Sequence, residues 1–461
     1  MATPNARAPK GTADMLPAPT ARAWEFFNKV ATELFSRYGY EPIYTPVFEH
    51  TEVFTRAIGE ATDIVSKEMY TFTDKGGRSI TLRPEGTASI VRAALEHHLT
   101  ANGQSAKLYY AGPMFRYERP QAGRLRQFWQ IGVEALGMGA PTADAEVIAL
   151  LMEFFERVGV KRERLTLMVN SMGDEKCRPV YRERVADFIR EHAGDLCDEC
   201  VRRADTNPLR AFDCKNEACR AVMAGAPLLR DALCDECAVH YDGVLRHLDE
   251  IGVSYVEDPR LVRGLDYYTR TVFEVQAAGL GAQNGIGGGG RYDRLMEEYG
   301  GPKTAGLGFA LGFERTLLAL AADDAAIPAP PSAEVFVARV DDSVTGEVFA
   351  IAQALRSAGI ATEMDHQGRS LKSQMKVADR LGALFVVVVG PDEVASGQVT
   401  VRDMSSSGER GVVLEDIASE VGTLIAAVAD DAAADLRVGA PRVVGGGADS
   451  ETNHFDRPKG P

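Results

Sequence analysis

Apolar residues recur at helical spacing from Trp24 to Tyr38 (Trp24, Phe27, Val30, Ala31, Leu34, Phe35), and Gly39 follows as a C-terminal glycine should, so the pattern predicts a helix. The texture then changes to short extended runs. Glu41 to Glu49 reads as extended. Met69 to Phe72 and Ser79 to Leu82 flank a Lys75-Gly76-Gly77-Arg78 turn and predict an antiparallel hairpin. A helix is expected from near Glu85 through Val91 to Leu95. Lys107 to Gly112, Arg126 to Glu134, Arg164 to Asn170 and Thr271 to Gln276 add strand-like segments. A strand-rich centre with flanking helices predicts an α+β fold with a largely antiparallel sheet, not alternating βαβ units. Charged helical sequence over about 171–245 interrupts this core as an inserted helical subdomain, and Ala321 to Pro331 has the alanine-proline composition of a linker. From Ala333, strand and helix alternate: Val335 to Val340, a helix from Thr345 to Ala358, Ala361 to Met364, a helix from Ser370 to Leu381, Leu384 to Val389, and Gln398 to Arg402. That alternation predicts a small α/β domain. The expected division is 1–325, a linker at 326–332, an α/β domain at 333–428, and a disordered tail at 429–461 that is poor in large apolar groups.

With 461 residues, 45 % apolar and 25 % charged, the chain has ordinary globular composition and room for two or three cores. Its longest strongly apolar run, Leu384 to Val389, is far shorter than the roughly 20 residues that span a bilayer, and Met1 to Lys10 lacks the apolar core of a signal peptide. No membrane partner and a cytoplasmic location are expected. The net charge of −15 argues against wholesale nucleic-acid binding, yet the stretch from Arg116 to Arg126 holds four arginines and one acid, enough for a nucleic-acid end. Of seven cysteines, six fall in three close pairs, Cys197-x2-Cys200, Cys214-x4-Cys219 and Cys234-x2-Cys237, with Cys177 apart. In a chain without a signal peptide such pairs suggest structural zinc more than disulfides, free buried thiols being the alternative.

The candidate chemistry lies in three separated arginine-bearing segments, Phe115 to Arg119, Leu261 to Tyr268, and Gly306 to Phe309 continuing to Gly312-Phe313-Glu314-Arg315. A guanidinium grips phosphate or carboxylate oxygens in two places, so several arginines beside glycine-rich turns suit ATP and an amino acid; a single one is more often a surface ion pair. Phe115 to Glu134 reads as strand, basic loop, strand, with Phe128, Gln130, Gly132 and Glu134 on one face by period-two alternation. Thr81 to Thr87 sets Glu85 and Thr87 at a helix start, where local capping is the simpler reading. Gly285 to Gly290 formally satisfies G-x-G-x-x-G, but position 305 is alanine and the helix after Asp293 is short, so a dinucleotide site is not expected. No Gly-x4-Gly-Lys-Ser/Thr loop is present, so ATP needs another architecture.

Those segments, in order over roughly 9–425, resemble histidyl-tRNA synthetases of class IIa. The Phe115 to Glu134 run and the Gly306 to Arg315 run resemble class II signature motifs, and Arg263-Gly264-Leu265-Asp266-Tyr267-Tyr268 and Gly288 to Tyr292 resemble histidyl-specific segments. The resemblance implies a class II antiparallel catalytic core with a helical insertion, a C-terminal anticodon-binding domain, a homodimer, and the substrates L-histidine, ATP with Mg²⁺, and histidine tRNA. Carried over residue by residue, it assigns Glu85, Gly86, Thr87, Arg116, Gln130, Glu134, Arg263, Tyr267, Tyr268 and Tyr292 to histidine, and Glu118 and Phe128 to adenine. Arg116 goes to the α-phosphate, Arg263 to α-phosphate and carboxylate, and Arg315 to the γ-phosphate; Arg116, Arg263 and Gln130 form the catalytic set. Arg119, Gln121 and Arg124 fall on the loop that meets the tRNA acceptor end, where the family reads an extra 5′ guanosine. Trp129 departs from the family's usual histidine, on the opposite strand face. The rival expectation is a non-catalytic synthetase-like subunit that partners ATP phosphoribosyltransferase; such paralogues lack the anticodon-binding domain.

Overall fold

The computed structural model describes residues 7–59, 62–281, 284–322 and 333–438. The chain divides into two compact units, Met1–Ala329 and Pro330–Pro461. The first holds strands β1 (Glu41–Pro42), β2 (Phe48–His50), β3 (Tyr70–Thr73), β4 (Ser79–Leu82), β5 (Ala106–Phe115), β6 (Gln127–Leu136), β7 (Leu165–Ser171), β8 (Val256–Glu257), β9 (Thr269–Ala277), β10 (Gly285–Arg291) and β11 (Gly306–Gly312). Its α-helices are α1 (Arg22–Arg37), α2 (Thr51–Ile58), α3 (Thr87–Glu96), α4 (Pro141–Arg157), α5 (Arg178–Glu191), α6 (Asp198–Thr206), α7 (Glu217–Met223), α8 (Asp235–Glu250), α9 (Leu295–Glu298) and α10 (Phe313–Ala321). Among the described residues no helix is long and apolar enough to cross a membrane.

Eight strands form one sheet in the order β1-β5-β6-β11-β10-β9-β7-β8, antiparallel throughout its centre and parallel only at its two outer pairs. The α+β expectation therefore holds. The hairpin expected across residues 75–78 is present, its turn closed by Asp74, whose carboxylate accepts from the backbone N–H groups of Gly76 and Arg78 at 2.8 and 2.9 Å. It pairs with β2 in a separate three-stranded sheet. Alternation along β6 sends Ile131, Val133 and Ala135 into a core built with α1, α4 and α8, where Phe27, Leu34, Phe35, Phe154 and Phe155 are buried. Burying one such side chain contributes about 1.5–3 kcal/mol, so this face anchors the sheet and the other is left for chemistry. Helix α1 ends as its glycine predicts, Gly39 lying at φ +80°.

Between β7 and β8 the chain leaves for α5, α6 and α7, which share a second core with α2 and α3, and returns through α8. The insertion expected over 171–245 is thus helical, but the last turns of α8 belong to the main core, where Val244, Leu245 and Leu248 pack.

The glycine-rich segments need a correction. Gly285–Arg291 and Gly306–Gly312 are not turns but the two central strands, paired to each other and flanked by β9 and β6. Glycine is a poor strand former, so composition conceals them, while tertiary pairing overrides the propensity. The reason for glycine is spatial: a Cβ on Gly289 would overlap the Gly308 carbonyl, and one on Gly288 would lie 2.6 Å from the Phe273 carbonyl oxygen.

In the second unit, β12 (Val335–Arg339), β13 (Thr362–Met364), β14 (Phe385–Val389), β15 (Gln398–Asp403) and β16 (Glu409–Val413) form a sheet in the order β13-β12-β14-β15-β16. The first three strands are parallel and the last two antiparallel. Helices α11 (Thr345–Ser357), α12 (Leu371–Leu381), α13 (Pro391–Ser396) and α14 (Ile417–Val438) accompany them. The apolar Phe385–Val389 run is buried on both faces, Val387 against α11 and Val386 against α12. Helix α14 continues through 429–438, which the sequence assigns to the tail; alanine at 426, 427, 429 and 432–434 favours helix there. The 326–332 linker and residues 439–461 lie outside the described residues.

Gly289→Ala should cost about 1–3 kcal/mol of stability, because the added methyl forces β10 and β11 apart. Urea unfolding followed by circular dichroism measures it, and a midpoint equal to that of the native chain would mean that the strands can separate freely.

Candidate active site

The sheet face opposite α1 and α4 carries a largely polar cavity of about 500 Å³ over β6, β11, β10 and β9. Glu85 closes one end. Its carboxylate accepts from the backbone N–H groups of Thr87 and Ala88 at 2.7 and 2.8 Å, capping α3, so the local reading is correct as far as it goes. Burial nevertheless raises its pKa, and those amide bonds only partly oppose the shift. Beside it the Thr87 hydroxyl donates to Glu134 Oε1 at 2.6 Å, and the Tyr292 hydroxyl donates to Glu134 Oε2. Burial pushes Glu134 up to about 8, with nearby Glu85 adding to the effect. Tyr267 packs between Tyr268 and Tyr292, with ring centroids 4.7 and 5.7 Å away, and burial raises the pKa of all three phenols. They stay neutral donors and acceptors near pH 7.

Four arginines surround the opposite end. Arg116 donates through Nε to the Pro84 carbonyl at 2.9 Å, and its guanidinium lies 5.3 Å from the centre of the Phe128 ring. Arg263 pairs with Glu274 at 2.5 Å, Arg124 with Glu118 at 3.1 Å. Arg315 is aimed by backbone, donating to the carbonyls of Gly123 at 3.1 Å and Gly285 at 2.7 Å. Among the described residues the Oε1 of Gln130 is buried without a hydrogen-bond partner, on a residue that lines the cavity. Leaving such an acceptor unmet costs about 1–3 kcal/mol, so a ligand donor is the natural complement.

The model of the family described as histidyl-tRNA synthetase matches residues 11–316, and that of an anticodon binding domain matches residues 334–424. The chain belongs to the histidyl-tRNA synthetase family. It is 51 % identical over 409 residues to a histidine--tRNA ligase of Desulforamulus reducens, covering 89 % of this chain and 97 % of that one. With the corresponding ligase of Halothermothrix orenii the identity is 48 % over 419 residues, covering 91 % and 99 %. The crystal structure of apo S. aureus histidyl-tRNA synthetase superimposes with a TM-score of 0.75 at 38 % identity, covering 90 % of this chain and 99 % of that one. The fold is accordingly the class II synthetase core with a separate anticodon-binding domain.

Of the residues that histidyl-tRNA synthetase resemblance singles out, Glu85, Thr87, Arg116, Glu118, Arg124, Phe128, Gln130, Arg263, Tyr267, Tyr268, Tyr292 and Arg315 all line this one cavity. Glu134 and Gly86 do not. Glu134 lies behind the wall with both oxygens engaged, and Gly86 faces the Tyr110 ring, which a Cβ would approach to 2.5 Å. Arg119 is exposed and outside the cavity, and Gln121 faces a separate apolar cavity with Trp129 and Phe313. Sequence reasoning missed Glu274, Glu314 and Lys215. Glu274 was findable by period-two spacing from Val272 on the expected strand. Glu314, pushed up to about 7 by burial, accepts from the Trp129 backbone N–H at 3.1 Å. Lys215 reaches the cavity from the cysteine-bearing insertion, which no local pattern signals.

Glu134 keeps its proton in the fold to about pH 8, whereas an unfolded glutamate loses it near 4.5. The stability tied to it is fully present below that lower value and is lost as pH rises through about 8. Glu134→Gln, which cannot ionise, should therefore gain melting temperature relative to the native chain when the pH is raised from about 5 to about 9. A difference that is the same at both ends would mean that the native carboxylate is ionised throughout.

Proposed function

We propose that this chain ligates L-histidine to histidine tRNA in two steps, activating the amino acid with MgATP to histidyl-adenylate and pyrophosphate, then transferring it to the terminal adenosine. One observation carries the reading: a buried pocket of three phenols, Tyr267, Tyr268 and Tyr292, backed by Glu134 and able to meet a neutral imidazole, opens into the same cavity as four arginines. In this reading Glu85 and Thr87 hold the ammonium, Gln130 the carboxylate region, and Tyr267, Tyr268 and Tyr292 the imidazole, with Glu134 and Gly86 supporting from behind. Adenine stacks on Phe128 and is read by Glu118. The histidine carboxylate attacks the α-phosphorus in line; Arg116 and Arg263 offset the developing charge and Arg315 holds the γ-phosphate. No covalent enzyme intermediate is needed. The enzyme acts as a cytoplasmic homodimer, as is typical of its family, and the cysteine-bearing insertion is read as holding structural zinc. A non-catalytic regulatory subunit would be expected to lack the anticodon-binding match at 334–424 and the arginine set.

Histidine-dependent exchange of pyrophosphate into ATP, with other amino acids as controls, tests this directly; no exchange, or exchange with all amino acids alike, refutes it. Arg263→Ala should lower the exchange rate by about 10² to 10³ while the protein stays folded, the usual loss for one donor to transition-state charge. Near-normal exchange by the folded variant would remove Arg263 from the chemistry.

Arg119, Gln121 and Arg124 are assigned to the acceptor end of the tRNA. Arg119 is exposed and stands apart from the ATP cavity, which supports separate roles for the two steps. Arg119→Ala should slow single-turnover transfer to tRNA more than adenylate formation, and the defect should shrink on a tRNA lacking the extra 5′ guanosine. An equal fall on both tRNAs would make Arg119 a general phosphate contact rather than a reader.

A further inference from the structure

The seven cysteines resolve into two groups, with one carboxylate in the second. The sulfurs of Cys197, Cys200, Cys214 and Cys219 lie within 4.8 Å of one another, and so do the ligand atoms of Asp174, Cys177, Cys234 and Cys237. Cys177, remote in sequence from the three pairs, is thus drawn into the second group. The Sγ atoms of Cys197 and Cys214 are 3.9 Å apart, close to the roughly 3.8 Å edge of a tetrahedron with Zn–S bonds of about 2.3 Å.

Both groups use the same device. The tetrapeptide Cys-Asp-Glu-Cys occurs at 197–200 and again at 234–237. In each copy the first cysteine is the extended residue before a helix, at φ −69° and ψ 155° for Cys197 and φ −71° and ψ 161° for Cys234, and the second is buried in the first turn. Backbone amides point at sulfur: Cys197 N–H donates to Cys219 Sγ at 3.2 Å and Asp174 N–H to Cys177 Sγ at 3.3 Å, the arrangement that suits thiolates. Cys177, Cys200, Cys219 and Cys237 are buried, and four converging sulfurs, or three with a carboxylate, are a donor set for a borderline-soft tetrahedral cation.

The second group sits at a junction. Asp174 follows the end of β7, where Met172 N–H donates to the Arg270 carbonyl at 2.5 Å and Arg270 N–H donates to the Gly173 carbonyl at 2.7 Å. Oδ1 of Asp174 faces the thiols of Cys177 and Cys234, and Oδ2 lies between the Cys234 thiol at 3.9 Å and Arg270 at 3.7 Å, so the carboxylate turned to the thiols is steadied from outside. Cys177 precedes α5, whose first residue, Arg178, donates to the Tyr268 carbonyl at 2.7 Å. Gly173, at φ +62°, leaves no room for a side chain, since a Cβ there would lie 2.6 Å from Cys177 Sγ.

We propose that the insertion holds two structural zinc ions, one on Cys197, Cys200, Cys214 and Cys219, the other on Asp174, Cys177, Cys234 and Cys237, and that the second fastens α5 and α8 to the strand end beneath Tyr268. Asp174, Cys177, Cys234 and Cys237 are positioning residues, acting on the pocket through Arg178 and Tyr268. Only the kinetic arm of the test rests on the histidine-activating reading.

Full-length protein purified without chelator should carry two zinc ions per chain by elemental analysis. Cys200→Ser and Cys237→Ser should each retain one, and the double variant none. Asp174→Asn should empty the second site while Asp174→Cys restores it, which keeps the test decisive if Cys237→Ser does not fold. One ion or none in the native protein, disulfides found by thiol titration without reductant, or unchanged content in both Cys237→Ser and Asp174→Asn would overturn the two-site assignment. In pyrophosphate exchange, Asp174→Asn should raise the KM for histidine about tenfold and leave that for ATP unchanged, with Asp174→Cys near native. Equal changes in both constants would overturn the fastening beneath Tyr268. A native chain with two ions and no histidine-dependent exchange would refute the enzymatic reading and leave the metal sites standing.

Discussion

Glu134 is a carboxyl group withdrawn from water that accepts from two hydroxyl donors, Thr87 at the start of α3 and Tyr292 just after β10. Ionising it away from water without a charged partner is expensive, so burial raises its pKa to about 8 and the group keeps its proton below that. The expense is met by convergence: β6, α3 and β10 must all be in place before the oxygens find their donors. Gly308 across the strand pair is required by the same group, because a Cβ there would collide with the carboxylate. The tyrosine wall is thus oriented by a residue that never lines the cavity, and the shape of the pocket is coupled to the integrity of the sheet.

The arginines obey a complementary rule. Arg116 and Arg315 donate to carbonyl oxygens, of Pro84, Gly123 and Gly285, so main-chain geometry helps set their direction. Arg263 and Arg124 are instead paired with Glu274 and Glu118, whose carboxylates keep two cations near one another without prohibitive repulsion.

The antiparallel strand-rich core, the hairpin at 70–82 and most of the cavity residues were legible because each announces itself locally, by alternation, by a turn, or by a motif with its spacing intact. Phe128 and Gln130 follow directly from period two on β6. What was not legible depends on contacts far apart in sequence. The central strands β10 and β11 are hidden because glycine carries no pattern, and its reason for being there lies in Gly308, Phe273 and Glu134. Lys215 and the pairing of Cys177 with Cys234 and Cys237 require the insertion to be folded before they are adjacent. The sequence pattern puts Glu134 on the same strand face as Phe128 and Gln130, but its place behind the wall depends on which oxygens are already engaged, and no string of residues records that.

The order of strands in the large sheet has a consequence for biosynthesis. The two halves of the sheet, β5 with β6 and β7 with β9, are joined only through β10 and β11, the last of its strands in the chain. A nascent chain on the ribosome therefore carries β6 with an unsatisfied edge until Gly312 has emerged, through the synthesis of the whole helical insertion. Long-range antiparallel pairing is slow, and an open strand edge invites pairing with other chains. Synthesis of this protein thus has a vulnerable interval whose length is set by the insertion, and the two glycine strands that end it also complete the floor of the cavity.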